Sequence, residues 1–178
     1  MDYIIERLKR LVSSVRLFSA VVVQIPLYQY QAVCVDAVLD SCLKNLGREF
    51  VWIFPRQSGK DEAIAQMCAF LLALFYRLDA GIVHTYPTGG QLTTGISRLE
   101  HRLENVWSGG RWWRKSKPDR RGLGKARVAF FSGHVLARSE GATANLLLIV
   151  NETQDQHEAT VERRFTPMRA STNATALY

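Results

Sequence analysis

The sequence predicts an α/β domain, a mainly parallel sheet flanked by helices. Three observations carry this. Apolar segments of strand length alternate with longer helical segments, the order that lays helices on a parallel sheet. Residues 49–54, EFVWIF, run straight into Pro55-Arg56-Gln57-Ser58-Gly59-Lys60 and then into a long apolar helical stretch. Residues 146–150 are five aliphatics in a row ending in Asn151-Glu152, the composition of a strand buried on both faces.

Taken in order, Ile4, Ile5, Leu8, Leu11, Val12 and Val15 recur at helical spacing with a basic opposite face, which predicts a leader helix. Pro26 breaks it, so the expected organisation is a leader over 1–26 and a domain over 27–178. Residues 30–46 read as a helix stopped by Gly47. Residues 49–54 read as a buried strand, 55–59 as a loop and 60–78 as a long apolar helix. A second strand over 81–86 is closed by Pro87, Gly89 and Gly90, and 91–107 reads as a helix with a polar face. Residues 108–127 hold Trp112, Trp113, Arg111, Arg114, Lys115, Lys117, Arg120, Arg121, Lys125 and Arg127. They read as a loop or insertion outside the core. Its arginines suit nucleic-acid phosphates, while its tryptophans are expected to pack back on the domain. Residues 128–131 and 135–137 could pair as a hairpin around 132–134. In such sheets ligands bind at the carboxyl ends of strands, which directs attention to the loops after Phe54, Tyr86 and Val150.

The bulk composition agrees. The chain has 178 residues, 47% apolar and 22% charged, a balance that excludes a disordered chain. A net charge of +7 favours a polyanionic partner. The longest apolar run, 17–27, is too short to span a bilayer, and Asp2 and Glu6 with no clean cleavage site argue against secretion. Cys34, Cys42 and Cys68 form no C-x-x-C pair and read as free thiols in a reducing cytoplasm. His84, His101, His134 and His157 show no metal spacing.

A strand, a tight loop, Gly-Lys and a helix form the arrangement that grips nucleotide phosphates through backbone N–H groups and a helix N-terminus. Gly59 permits close backbone approach, and Lys60 can reach the β- and γ-phosphates. This makes the fold class a P-loop NTPase of the RecA/ASCE-like kind, with ATP and Mg²⁺ as cofactors. Against the usual G-x-x-x-x-G-K-[ST], Phe54 stands at the first glycine and Asp61 at the Mg²⁺-binding hydroxyl. The plain alternative is a strand-to-helix turn with an exposed lysine. Residues 146–152 have the form of the partner strand, which usually ends in an Asp for the Mg²⁺ water shell and a Glu for the attacking water. Glu152 is present. Asn151 keeps the shape of the Asp and loses its charge, so a weakened Mg²⁺ site at Asn151 and Asp61 is expected.

These residues together resemble bacteriophage terminase large subunits. The segment 55–62, PRQSGKDE, is similar to the family's variant Walker A with its R-Q-x-G-K core, and 147–155, LLIVNETQD, to its L-I-x-D-E-A-Q-D segment. Tyr86-Pro87-Thr88 with Gln91 resembles the motif after the second strand, 27–31 the adenine-side segment, and 170–175 the coupling motif. The matches run in the family's order from about residue 27 to the last.

The resemblance implies an ATPase motor that drives double-stranded DNA into a capsid. It implies Arg56, Lys60 and Glu152 as catalytic residues. It implies Gln31 at the adenine, with Arg56, Gln57, Ser58, Gly59, Lys60 and Asp61 around the phosphates, and Thr172, Asn173, Ala174 and Thr175 as the coupling motif. Its implied partners are double-stranded DNA, a portal or procapsid, a small terminase subunit and a ring of identical subunits, with no membrane. Its implied location is the cytoplasm of a phage-infected or prophage-bearing cell. The chain stops just after the coupling motif, so the expectation is a domain truncated at its C-terminus, without the family's RNase H-like nuclease domain. Two other readings stay open. One is a helicase-like ATPase, which needs motifs of a second RecA-like domain. The other is a non-hydrolysing nucleotide-binding or interaction module, which Asn151 and the truncation favour.

Overall fold

A computed structural model of the chain describes residues 13–104, 106–133 and 142–178. Most of the expected leader helix, with Ile4, Ile5, Leu8, Leu11 and Val12, lies outside these residues. Where description begins, Val15–Leu17 forms a short turn continued by a π-helical turn, Phe18–Val23. Val15, Phe18 and Val23 are buried in the main core, with the Phe18 ring edge-on to Phe70 and Trp107.

Seven strands form one sheet: β1 Glu49–Phe50, β2 Gly81–Tyr86, β3 Trp112–Ser116, β4 Asp119–Leu123, β5 Ala126–Ser132, β6 Leu147–Val150 and β7 Thr175–Leu177. Their order is β1-β7-β6-β2-β5-β4-β3. β1, β7, β6, β2 and β5 pair in parallel, and β4 and β3 add an antiparallel edge. The last strand, β7, thus lies between the strand entering the phosphate loop and the strand ending in Asn151-Glu152.

Three long helices, α1 Gln29–Leu43, α2 Lys60–Leu74 and α3 Gly89–Leu103, contribute to the core on one face. That face buries Ile82, Tyr86, Val128, Phe130, Leu147, Ile149 and Leu177. The opposite face buries Val83, Ala129, Phe131, Leu148, Val150 and Ala176 under the helical segment 158–170, through Val161, Phe165 and Met168. Alternate residues of each strand serve opposite faces, and both faces are covered, which is why β6 reads as continuous aliphatics. α2 is apolar nearly all round because it is buried from Ala63 to Leu72. α3 buries only Gly95, Ile96, Leu99 and Leu103 and keeps a polar face. Among the described residues no helix is long and apolar enough to cross a membrane.

Three expectations change. The strand over 49–54 is not buried: β1 is the sheet's edge, and Val51 and Ile53 are 70% and 90% exposed. Only the alternate residues Phe50 and Trp52 pack on the core, with the ladder to β7 carried on by Trp52 N donating to Tyr178 O. The basic stretch is no loop, because β3 and β4 extend the sheet and bury Arg121, Gly122 and Leu123. The expected hairpin of 128–131 with 135–137 gives way to pairing of β5 with β2 on one side and β4 on the other, and 135–137 lies outside the described residues.

Candidate phosphate-binding site

The loops after β1 and β6 meet at the carboxyl edge of the sheet, where α2 begins. A cavity of about 930 Å³ there is lined by Phe54 through Glu62, by Gln91 and Arg98 of α3, and by Glu152, Gln154 and Asp155. The sequence-predicted Arg56, Gln57, Ser58, Gly59, Lys60, Asp61 and Glu152 are therefore brought together. Asn151 is 5% exposed and lies directly behind them.

The loop's shape follows from its residues. Ser58 folds back on Pro55 O through both its N–H, at 3.3 Å, and its hydroxyl, at 2.6 Å. Gln57 and Gly59 take positive φ, +61° and +78°. Gly59 serves as the N-cap of α2, and a Cβ there would stand 2.5 Å from Gln31 Nε2. Only glycine meets both demands without strain. The backbone thus delivers Lys60 and Asp61 into the first turn of α2, where the leading N–H groups have no intrahelical partners.

Across the cavity, Lys60 Nζ donates to Glu152 Oε1 and pairs with it as an ion pair. That hydrogen bond is the main cause holding the Glu152 carboxyl below its ordinary range, with smaller help from Gln154 and the Arg56 charge. Glu152 itself is left-handed, φ +49° and ψ +54°, a conformation that costs a non-glycine residue on the order of 1 kcal/mol and recurs at functional sites. Asn151 is held by its N–H to Thr85 O at 3.0 Å and by its carbonyl, which accepts from Gln156 Nε2 at 2.8 Å. Its side-chain Nδ2 donates to Asp61 Oδ1 at 3.1 Å. Asp61 Oδ2 pairs with Arg98 Nη1 at 3.1 Å, and Arg102 with Glu62 at 3.0 Å. Beneath the site, burial, aided by the Lys60 charge, lowers the His84 pKa to about 3.

The fit to Mg²⁺ is a matter of donors. No group of three or more His, Cys, Asp or Glu side chains that could hold a metal exists among the described residues. A lone carboxylate beside a phosphate loop nevertheless suits Mg²⁺, which takes one or two carboxylates and completes its shell with phosphate oxygens and water. Asp61 supplies such a carboxylate.

Gln31 and the segment 172–175 lie outside the cavity lining. Gln31 is buried, its Oε1 accepts from Tyr28 N at 2.9 Å, and its Nε2 donates to Ser58 O at 2.9 Å and Gly59 O at 3.3 Å. The amide is thereby committed to the loop's backbone. Tyr30 reinforces it, its hydroxyl donating to Ser58 O at 2.7 Å. Thr172, Asn173, Ala174 and Thr175 enter β7 at its amino end, the far side of the sheet. Thr172 donates to Ala144 O, Asn173 to Asn45 O, and Thr175 meets the Ser41 hydroxyl at 2.7 Å. The strand must run about 10 Å, at about 3.3 Å per residue, before reaching the carboxyl edge, where the residue is Tyr178. Arg98 escaped the sequence reading. A signal existed: Gln91 and Arg98 are seven apart on one helix, hence on one face.

The fold as a whole has solved counterparts. It is the fold of a phage large-terminase ATPase domain. The HK97 bacteriophage large terminase superposes with a TM-score of 0.69 at 16% identity, over 95% of this chain and 36% of that one. The ATPase domain of the Thermus phage P74-26 large terminase does so with 0.57 at 17% identity, over 74% of this chain and 59% of that one. The chain thus spans about a third of the HK97 terminase. No protein-family model and no curated protein matches it by sequence.

Proposed function

We propose that the chain is the ATP-binding motor domain of a viral DNA-packaging terminase, coupling ATP hydrolysis to movement of double-stranded DNA. The observation that carries the reading is the meeting of Lys60, from the loop, with Glu152, from the end of β6, across one cavity of a terminase-type fold. Phosphate oxygens entering the loop would compete for Lys60 and the α2 N-terminus. Glu152, once released from Lys60, would be a carboxylate poised to orient the attacking water. Arg56, exposed on the loop, would reach the γ-phosphate. Gln31 and Tyr30 would hold the loop in its gripping shape. Mg²⁺, bound with the nucleotide at Asp61, would neutralise charge on the β- and γ-oxygens. The family's portal, small subunit, ring assembly and cytoplasmic setting come with the same proposal, as does the division of the chain at residue 26.

Double-stranded DNA would meet the β3–β4 edge, where Arg114, Lys115 and Lys117 are exposed. Arg121 is buried and turned inward to Glu100, so it is not available for phosphates, and the Trp113 indole N–H is taken by Gly124 O at 2.9 Å.

The test is ATP binding and hydrolysis, each with and without double-stranded DNA, for the chain and for Lys60→Ala. Binding lost in Lys60→Ala, with the fold intact by circular dichroism, supports the reading; unchanged ATP affinity sinks it. A second reading, a nucleotide-binding module without turnover, is favoured by the absence of a carboxylate at Asn151. ATP binding with no hydrolysis, with or without DNA, would select it.

A further inference from the structure

The two departures of this site from the usual pattern touch each other. In the usual pair a hydroxyl follows the loop lysine and a carboxylate ends the partner strand, so the strand carries the charge. Here the acid follows the lysine and the neutral group ends the strand, and Asn151 Nδ2 donates to Asp61 Oδ1 at 3.1 Å. We propose that the two elements have exchanged the carboxylate of the cation position: Asp61, from α2, holds the nucleotide-bound Mg²⁺, and Asn151, from β6, positions Asp61. The inference rests on the nucleotide reading above.

Read singly, each change damages the site. An amide at 151 beside a hydroxyl at 61 would leave no anionic oxygen there, and an acid at both positions would set two carboxylates against each other. Together they keep one carboxylate and one hydrogen-bond donor, with donor and acceptor reversed between strand and helix. Accessibility agrees with this division. Asp61 lines the cavity, and Asn151, 5% exposed, does not. Asn151 is also the better anchor, since its backbone N–H and C=O are both bound, to Thr85 and to Gln156. Its side chain therefore presents a fixed donor to Asp61 Oδ1. The other oxygen, Oδ2, already attracts a cationic group, Arg98. A guanidinium on a long stem can withdraw when a divalent ion and phosphates arrive, whereas a backbone-fixed partner could not.

The experiment is a double-mutant cycle read by ATP affinity in excess Mg²⁺ and in EDTA, by calorimetry, with melting curves for each variant. The chain should bind ATP more tightly with Mg²⁺. Asp61→Thr should bring the two affinities to within about threefold, and Asp61→Asn, close in volume, should do the same. Adding Asn151→Asp to Asp61→Thr should restore the Mg²⁺ gain, since that pair is the usual one. A Mg²⁺ gain undiminished in both Asp61 variants, or a folded double variant with none, overturns the exchange while leaving nucleotide binding intact. No ATP binding by the unaltered chain in either buffer overturns the nucleotide reading and the exchange with it.

Discussion

Glu152 shows how much this site asks of single residues. It stands left-handed at the end of a buried strand and takes the Lys60 ammonium as its partner. Gly59 is similarly constrained by its +78° φ and by the Gln31 amide. Gly59→Ala should lower stability by about 1–2 kcal/mol, read as a shift of the urea midpoint, and should weaken ATP binding, because the loop must open to admit the Cβ. His84 gives a pH prediction. Buried with its Nε2 unpartnered, it is neutral in the folded chain, with a pKa of about 3 against an ordinary 6.5. Between those values the unfolded chain binds more protons, so His84 lowers stability as pH falls from about 6.5 towards 3 and leaves it unaffected above that window. Melting temperatures of His84→Phe should fall less steeply across it than those of the unaltered chain; equal slopes would refute this role.

At the scale of elements, α1 matters to the site although it contributes nothing to the cavity lining. Gln31 and Tyr30, both at its amino end, reach the same carbonyl of Ser58. Gln31→Leu leaves Ser58 O with Tyr30 alone, leaves Gly59 O with Ala63 N alone and removes the acceptor of Tyr28 N, and should cost about 1–3 kcal/mol of stability. ATP affinity should fall with it, more than in a distant variant of equal stability loss, which calorimetry can compare. The β3–β4 hairpin presents its charge on an antiparallel edge. Changing Arg114 and Lys117 together to Ala should reduce the slope of log affinity for double-stranded DNA against log salt by about 1–2. An unchanged slope removes the hairpin as the DNA contact.

Across the whole molecule, a sheet covered on both faces joins distant segments into one unit. Leu148 is fully buried, with β2 and β7 on either side, so Leu148→Ala should cost about 2–5 kcal/mol, measured by denaturant titration. Because β6 leads directly into Asn151 and Glu152, the same change should also weaken ATP binding, whereas trimming exposed Ile53 on the β1 edge should leave both stability and binding within error.

Much of this was legible in the chain itself. Periodicity or unbroken apolarity marks α1, α2, α3, β2 and β6, because a helix with one buried face and an element buried all round each leave a local pattern. The loop at 55–60 is legible because glycine and lysine do a local job, facing an anion at a helix start. Tertiary structure alone decided the rest. It put β7 between β1 and β6 and so set 172–175 at the amino edge of the sheet, away from the phosphate loop. It turned an apolar run into an edge strand with Val51 and Ile53 in solvent. It set Gln31 against the loop's carbonyls and brought Asp61 to Asn151 across 90 positions of chain. Strand order and side-chain contact are long-range outcomes of burial, and no local pattern encodes which neighbour a segment will find.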